Sequence, residues 1–176
     1  MRSGLKSVAV RILAALTGLL VLFIAVGIAL PRSVEVTRSI DVPATPDEVF
    51  PYLDDLEAWT EWTLWGDVES HIEASSRGTG ATRVWDDPNI GSGRLTLTGV
   101  EPTTSVAYRA EVKGGLTFVG TLALRPRGSG VTVIWTESAS WGLNPLMGWT
   151  GLTLEGAQGR QLEQSLARLA ALFEPA

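Results

Sequence analysis

The chain has 176 residues, no cysteine, one histidine, a formal net charge of −5 and a mean hydropathy of +0.18. This length suits a single domain, and the lack of cysteine excludes disulfides, thiolate nucleophiles, iron–sulfur clusters and lipid-modified cysteine anchors. The acidic balance argues against nucleic acid as a partner, because phosphate binding requires clustered lysine and arginine.

The hydrophobic residues are concentrated at the N-terminus, where 21 of the first 30 residues are hydrophobic. Residues 12–30 contain no charge, and at about 1.5 Å per residue they reach roughly 28 Å, close to the hydrocarbon thickness of a bilayer. We therefore predict a basic N-terminal segment at 1–11, a transmembrane helix at 12–30, a short tether at 31–33 and a globular domain at 34–176.

The alternative for the N-terminus is a cleaved signal peptide, with Arg2, Lys6 and Arg11 as its basic region and Gly27–Ala29 as its cleavage site. The apolar stretch is longer than a typical signal core, which favours an uncleaved single-pass anchor. The three basic residues predict a cytoplasmic N-terminus and a domain on the other side of the membrane. Four of the fourteen basic residues precede residue 33, so residues 33–176 carry ten basic and nineteen acidic residues, a net charge of −9.

The domain begins with an alternating strand over residues 34–42, in which Arg38 falls on the apolar side. A short helix follows, with Thr45 as N-cap, Pro46 in the first helical position and Glu48 completing a capping box. A second short helix is expected over residues 56–62.

Six further strands are separated by turn sequences, at residues 68–74, 81–85, 93–100, 105–112, 116–124 and 131–138. The C-terminal stretch has a helical stripe formed by Leu162, Leu166, Leu169, Ala170 and Phe173. This order predicts an α+β helix-grip fold, in which a curved antiparallel sheet of about seven strands wraps on a long C-terminal helix and encloses a cavity.

The residues resemble a known superfamily in several segments, namely 36–44, 46–50, 56–62, 80–85, 101–102, 131–135 and 162–169. Together they are similar to the START, birch-pollen-allergen and polyketide cyclase/dehydrase superfamily (SRPBCC). The resemblance implies an internal hydrophobic pocket for a lipid, sterol, quinone or polycyclic ligand. It supplies no invariant catalytic motif, and the family includes both carriers and enzymes.

Aromatic and glycine residues supply the candidate ligand contacts. Strand parity points Tyr108 inward, and the seven tryptophans offer flat walls that suit rings and isoprenoid chains. On a helical projection the glycines and Glu155 of the last helix share the face of Leu162, which predicts space for a ligand beside Glu155. The alternative is a helix that breaks near residues 156–159, because glycine also terminates helices. The predicted ligand contacts are Trp62, Trp65, Trp85, Leu97, Tyr108, Leu122, Trp135, Gly151, Glu155 and Gly159.

Three functions remain open from the sequence. The first is a membrane-anchored domain that binds a hydrophobic small molecule or lipid. The second is a cyclase or dehydrase-like enzyme, for which acid or base candidates are Glu155, Tyr108, Arg109, Glu137 and His71. The third is an accessory protein-interaction domain without a ligand. We predict no catalytic residue, metal site or cofactor, and the oligomeric state stays undetermined.

Overall fold

The N-terminal helix stands apart from the sheet in a computed structural model, which describes residues 2–142 and 144–174, the side chains of residues 2–7 and 9 excepted. Helix α1 spans Arg2–Ala29, and its segment Val10–Ala29 is long and apolar enough to cross a membrane. A membrane anchor and a signal sequence share these properties. The side chains of Arg2 and Lys6, on which the predicted orientation depends, lie outside the described residues.

The first strand and two short helices follow in the predicted order, but the second helix begins at Trp59 and not at residue 56. Strand β1 is Ser33–Val42, helix α2 is Pro46–Leu53 and helix α3 is Trp59–Trp62, followed by a 3-10 turn at Leu64–Asp67. Both the backbone N–H and the hydroxyl of Thr45 donate to the carboxylate of Glu48 at 2.8 Å, which stabilises the start of α2.

Seven antiparallel strands form one sheet. The remaining strands are β2 Ser70–Glu73, β3 Thr82–Asp87, β4 Gly91–Glu101, β5 Ser105–Val112, β6 Leu116–Arg127 and β7 Gly130–Trp141. Their order is β1-β7-β6-β5-β4-β3-β2, so the chain meanders from β2 to β7 and β1 closes on β7. The predicted helix-grip fold is confirmed, with seven strands.

The C-terminal helix α4 runs without a break over Pro145–Ala171. The alternative of a break near residues 156–159 is therefore wrong. The side-chain oxygen of Asn144 accepts the N–H of Leu146 at 3.0 Å and caps the start of the helix. Leu162, Leu166 and Leu169 are at most 2% exposed and join the core between α4 and the sheet.

Arg38 lies within the regular pairing of β1 with β7, and no bulge or strand end accounts for its place on the inner face. Its guanidinium lies beside Gly159 of α4 and its Nε donates to Glu163 at 2.5 Å. The glycine therefore leaves the room that lets a charged side chain pass between β1 and α4 and reach solvent.

Helix α1 packs against the first turn of α4. The rings of Phe23 and Trp149 stack with centroids 5.1 Å apart at 8°, and the Trp149 indole N–H donates to the Phe23 carbonyl oxygen at 3.2 Å. A Cβ on Gly148 would collide with the backbone of Gly27, so the two helices approach as closely as two glycines allow.

Candidate functional site

A cavity of about 320 Å³ lies between the concave face of the sheet and α4. This volume is at the lower end of the range of small-molecule sites. Its lining is mainly aromatic and aliphatic and consists of Trp59, Thr63, Leu64, Trp65, Trp85, Ile90, Leu95, Tyr108, Ala110, Val112, Leu116, Phe118, Trp135, Glu137, Leu154, Ala157, Gln158 and Gln161.

An aromatic cluster forms the closed end of the cavity. Trp59 meets Tyr108 edge to face with centroids 5.3 Å apart, and Trp62 meets Trp135 at 5.5 Å. The indole N–H groups of Trp59 and Trp62 donate to backbone carbonyls of α2 at 2.9 and 3.0 Å. Because these polar atoms are satisfied, both rings are held in fixed positions; Trp59 lines the cavity and Trp62 packs behind it.

One polar network crosses the cavity wall. The Tyr108 hydroxyl donates to Oε2 of Glu137, the Gln158 amide donates to Oε1 of the same carboxylate, and the Trp135 indole N–H donates to the Tyr108 oxygen at 2.9 Å. All four side chains are at most 7% exposed. Both carboxylate oxygens thus have donors, which is what a buried acid requires.

The network depends on a glycine in the middle strand. Tyr108 of β5 pairs with Gly120 of β6, which pairs in turn with Glu137 of β7. A Cβ on Gly120 would collide with the Tyr108 ring. The tyrosine therefore lies flat across β6, and its hydroxyl spans two strands to meet the carboxylate.

Burial changes the acid–base behaviour of this network. Loss of hydration raises the pKa of Glu137 above its usual value, although the hydrogen bonds from Tyr108 and Gln158 oppose the shift. Burial also raises the pKa of Tyr108 well above its usual value, and the nearby charge of Glu137 adds to it. Glu137 is therefore the carboxyl group on the cavity wall whose neutral, protonated form is favoured by burial.

The predicted contact residues separate into three groups. Trp65, Trp85, Tyr108 and Trp135 line the cavity. The second group is buried in the core behind the lining and consists of Trp62, Leu97 and Leu122, each 0% exposed. The third group, Gly151, Glu155 and Gly159, lies outside the lining.

The expectation that the glycine face of α4 leaves space for a ligand is wrong. A Cβ on Gly151 would collide with the Trp141 ring, and one on Gly159 would collide with the Arg38 guanidinium. The glycines of α4 therefore accommodate neighbouring parts of the protein, and the ligand space lies along another stripe of the same helix.

Glu155 is exposed and does not face the cavity. The stripe that lines it contains Leu154, Ala157, Gln158 and Gln161, displaced around the helix from the predicted face. The rotation of α4 is set by Gly148 and Gly151, which pack on α1 and Trp141, and this leaves Glu155, four residues after Gly151, turned toward solvent.

Two polar site residues were not assigned to the site from the sequence. Glu137 appears there only as an acid or base candidate, although it has the parity of Val133 and Trp135 on β7 and so must point inward. Gln158 lies four residues before Leu162 on the buried stripe, and that spacing is the signal that identifies it.

The remaining acid or base candidates lie away from the cavity. His71 on β2 and Arg109 on β5 are both exposed. Among the residues whose side chains are described, no three His, Asp or Glu residues group closely enough to hold a metal ion.

The fold and the cavity between the sheet and α4 define a helix-grip domain. The model of the family described as polyketide cyclase/dehydrase and lipid transport matches residues 33–174, and the chain belongs to this family. No curated protein matches the sequence.

Three solved structures illustrate the fold. An uncharacterised protein from Rhizobium leguminosarum has 15% identity and a TM-score of 0.60, covering 80% of this chain and 94% of its own. A protein from Thermobifida fusca has 21% identity and a TM-score of 0.60, covering 79% and 92%. DynU16, from the dynemicin biosynthetic locus, has 20% identity and a TM-score of 0.56, covering 78% and 46%. At these identities the likeness establishes the fold alone.

Proposed function

We propose that this chain is a membrane-anchored domain that binds a hydrophobic small molecule, such as a lipid, quinone or polycyclic compound, in the cavity under α4. The observation that carries the proposal is the cavity itself, about 320 Å³ with apolar walls and one polar network. An accessory domain that only meets a protein partner has no use for this space, so the third sequence hypothesis is the least favoured.

The lining indicates how such a ligand binds. Rings of Trp65, Trp85 and Trp135 supply flat apolar surfaces, so removal of hydrophobic surface from water provides most of the affinity. Among the polar residues of the lining, Glu137 and Gln158 belong to the buried network, so a ligand with one hydrogen-bonding group is oriented by them. A fully apolar ligand gains nothing from the network.

Native mass spectrometry of the full chain in lipid nanodiscs tests the binding proposal. The expected result is a stoichiometric adduct that survives removal of bulk lipid and yields a single small-molecule class on extraction. A clean apo mass in repeated preparations from the host would contradict the proposal.

The anchoring role rests on the length of α1 and on its packing against α4. A cleaved product would lose the contacts of Phe23 and Gly27 with Trp149 and Gly148. We expect the chain to stay in the membrane after an alkaline wash and its intact mass to include residues 1–30. A soluble product beginning near residue 30 would identify α1 as a signal peptide.

A second candidate function is favoured by the Tyr108–Glu137 pair. Cyclisation or dehydration needs an acid and a base beside the substrate, and a buried carboxyl with a raised pKa next to a phenol meets that need. In this account Glu137 exchanges the proton and Tyr108 positions it. Comparing the ligands extracted from the native chain and from Glu137→Gln separates the functions: a carrier holds the same compound in both, whereas a dehydrase variant accumulates a substrate heavier by one water.

A further inference from the structure

The exposed residues of the cavity lining mark its opening to solvent. Its exposed lining residues are Ile90 in the β3–β4 turn, with 43% exposure, and Ala157 and Gln161 on α4. Leu116 at the start of β6 and Leu154 on α4 are half-buried at the same rim. We call this rim the mouth.

The strand register places Ile90 and Leu116 of the mouth at the end from which α1 leaves the domain, whereas Ala157 and Gln161 lie further along α4. Ser33, the first residue of β1, pairs with Ser140, and Leu116 pairs with Trp141 at the end of β7. Gly93, just after Ile90, pairs with Val112 at the end of β5. The β3–β4 and β5–β6 turns therefore lie at the end of the sheet where α1 joins β1, and only residues 30–32 separate the two elements.

The first turn of α4 lies level with the last turns of α1. The Trp149 indole donates to the carbonyl of Phe23, six residues before Ala29, the last residue of α1. Six helical residues rise about 9 Å. When α1 spans a bilayer, Trp149 therefore lies about 9 Å inside the end of the span, in the acyl chains just below the interface.

The composition of the chain around the start of α4 suits a position against the membrane. Residues 138–154 contain no charged residue, although the domain from residue 33 onward carries a net charge of −9. Leu146 and Leu152 are 62% and 60% exposed, which is costly in water and favourable against acyl chains. The charges of α4 begin only at Glu155, one residue after Leu154 at the mouth.

We propose that the mouth is held against the bilayer by α1 and by the uncharged first ten residues of α4, so that the ligand passes directly between the membrane and the cavity. This rests on the proposed anchor and ligand-binding function. The route selects a membrane-dissolved amphiphile without negative charge, because the acidic domain repels anions. Its hydrogen-bonding group enters first and reaches Glu137 and Gln158, while its apolar remainder stays near the mouth.

The absence of cysteine makes a depth measurement direct. We propose Leu146→Cys, Leu152→Cys, Ile90→Cys and, as control, Leu172→Cys in the full chain, each labelled with an environment-sensitive fluorophore. Leu172 is a leucine exposed at 41% just beyond the opposite end of α4. All four side chains are exposed, so the variants are expected to fold.

The labelled chains are reconstituted in phosphatidylcholine vesicles that contain a doxyl-labelled phosphatidylcholine as quencher. We expect severalfold stronger quenching at positions 146, 152 and 90 than at position 172. Quenching at position 90 equal to that at position 172 would overturn the proposal, even if position 146 is quenched, because the mouth would then stand in water. This readout requires no ligand, so failure of the binding proposal, seen as a clean apo mass, is distinguishable from failure of the route.

Discussion

Glu137 points into the cavity because of its position on β7, and burial there disfavours its charged form. Its inward direction follows from the alternation of β7, which also turns Val133 and Trp135 into the core. Isolated burial of a carboxylate costs several kcal/mol, and the donors on Tyr108 and Gln158 offset part of that cost. The remaining imbalance appears as a raised pKa, which makes the residue a proton-exchanging group in an otherwise apolar space.

The raised pKa of Glu137 makes stability depend on pH. The folded chain holds the proton more tightly than the unfolded chain, so this contribution is complete below the usual Glu pKa and is lost as pH rises through the folded value. Glu137→Gln removes the titrating carboxyl group, so the variant does not lose this contribution to stability as pH rises. We expect the free energy of unfolding of the variant to improve relative to the native chain as pH rises from the usual Glu pKa through the raised folded value, as measured by urea unfolding. A difference that stays constant with pH would contradict the raised pKa.

Gly120 is the residue on which the geometry of the network depends. Gly120→Ala places a Cβ against the Tyr108 ring and is expected to destabilise the chain by about 1–3 kcal/mol through overpacking. The matched control is Gly99→Ala on β4, where the added Cβ meets only the Ala107 Cβ at 3.8 Å. Chemical unfolding of both variants checks this, and equal stabilities would show that Tyr108 can move at little cost.

The site residues were predictable to the extent that they follow local periodicity. Period-two alternation identified Tyr108, and the aromatic supply identified Trp85 and Trp135. Glu155 was misplaced because a helical projection gives relative angles along α4 but not the rotation of the whole helix. That rotation is set by contacts distant in sequence, with Trp141, Arg38 and α1.

At the scale of the element, α4 carries two neighbouring stripes with different roles. One stripe contains small residues that let Trp141, Arg38 and α1 approach closely. The other, including Leu154 and Gln158, covers the cavity. The strand and helix pattern of the domain was predictable because turn sequences and alternation are local features of the sequence. Which stripe of α4 packs on its neighbours and which lines the cavity depends on tertiary contacts, so it was not predictable.

Substitutions at two glycines of α4 separate the effect of side-chain packing from the effect of helix propensity. Gly151→Ala forces a Cβ against the buried Trp141 ring and is expected to destabilise the chain by about 1–3 kcal/mol. Gly156→Ala meets only the end of the Arg160 side chain at 3.5 Å and is expected to stabilise it by about 0.5–1 kcal/mol. Thermal unfolding of the two variants measures the difference. A stabilising Gly151→Ala would mean that α4 does not pack on Trp141 in this register.

At the scale of the whole molecule, the hydrophobic residues form two separate bodies. One is α1, which touches α4 through Phe23 and Gly27 but exposes its leucines and valines between Val8 and Leu22, and the other is the core around the cavity. The average hydropathy of the chain therefore describes neither part. Charge is divided in the same way. The domain from residue 33 onward carries a net charge of −9, and the four basic residues before it bring the net charge of the chain to −5.

The central claim is that the cavity holds a hydrophobic ligand, and filling the cavity tests it most directly. Ala110 faces the cavity, whereas Ala107, three residues earlier on β5, is on the outer face of the sheet. Native mass spectrometry should find the adduct on the native chain and on Ala107→Phe but not on Ala110→Phe, with circular dichroism confirming that both variants fold. An adduct retained at equal occupancy on Ala110→Phe would place the ligand elsewhere and contradict the account.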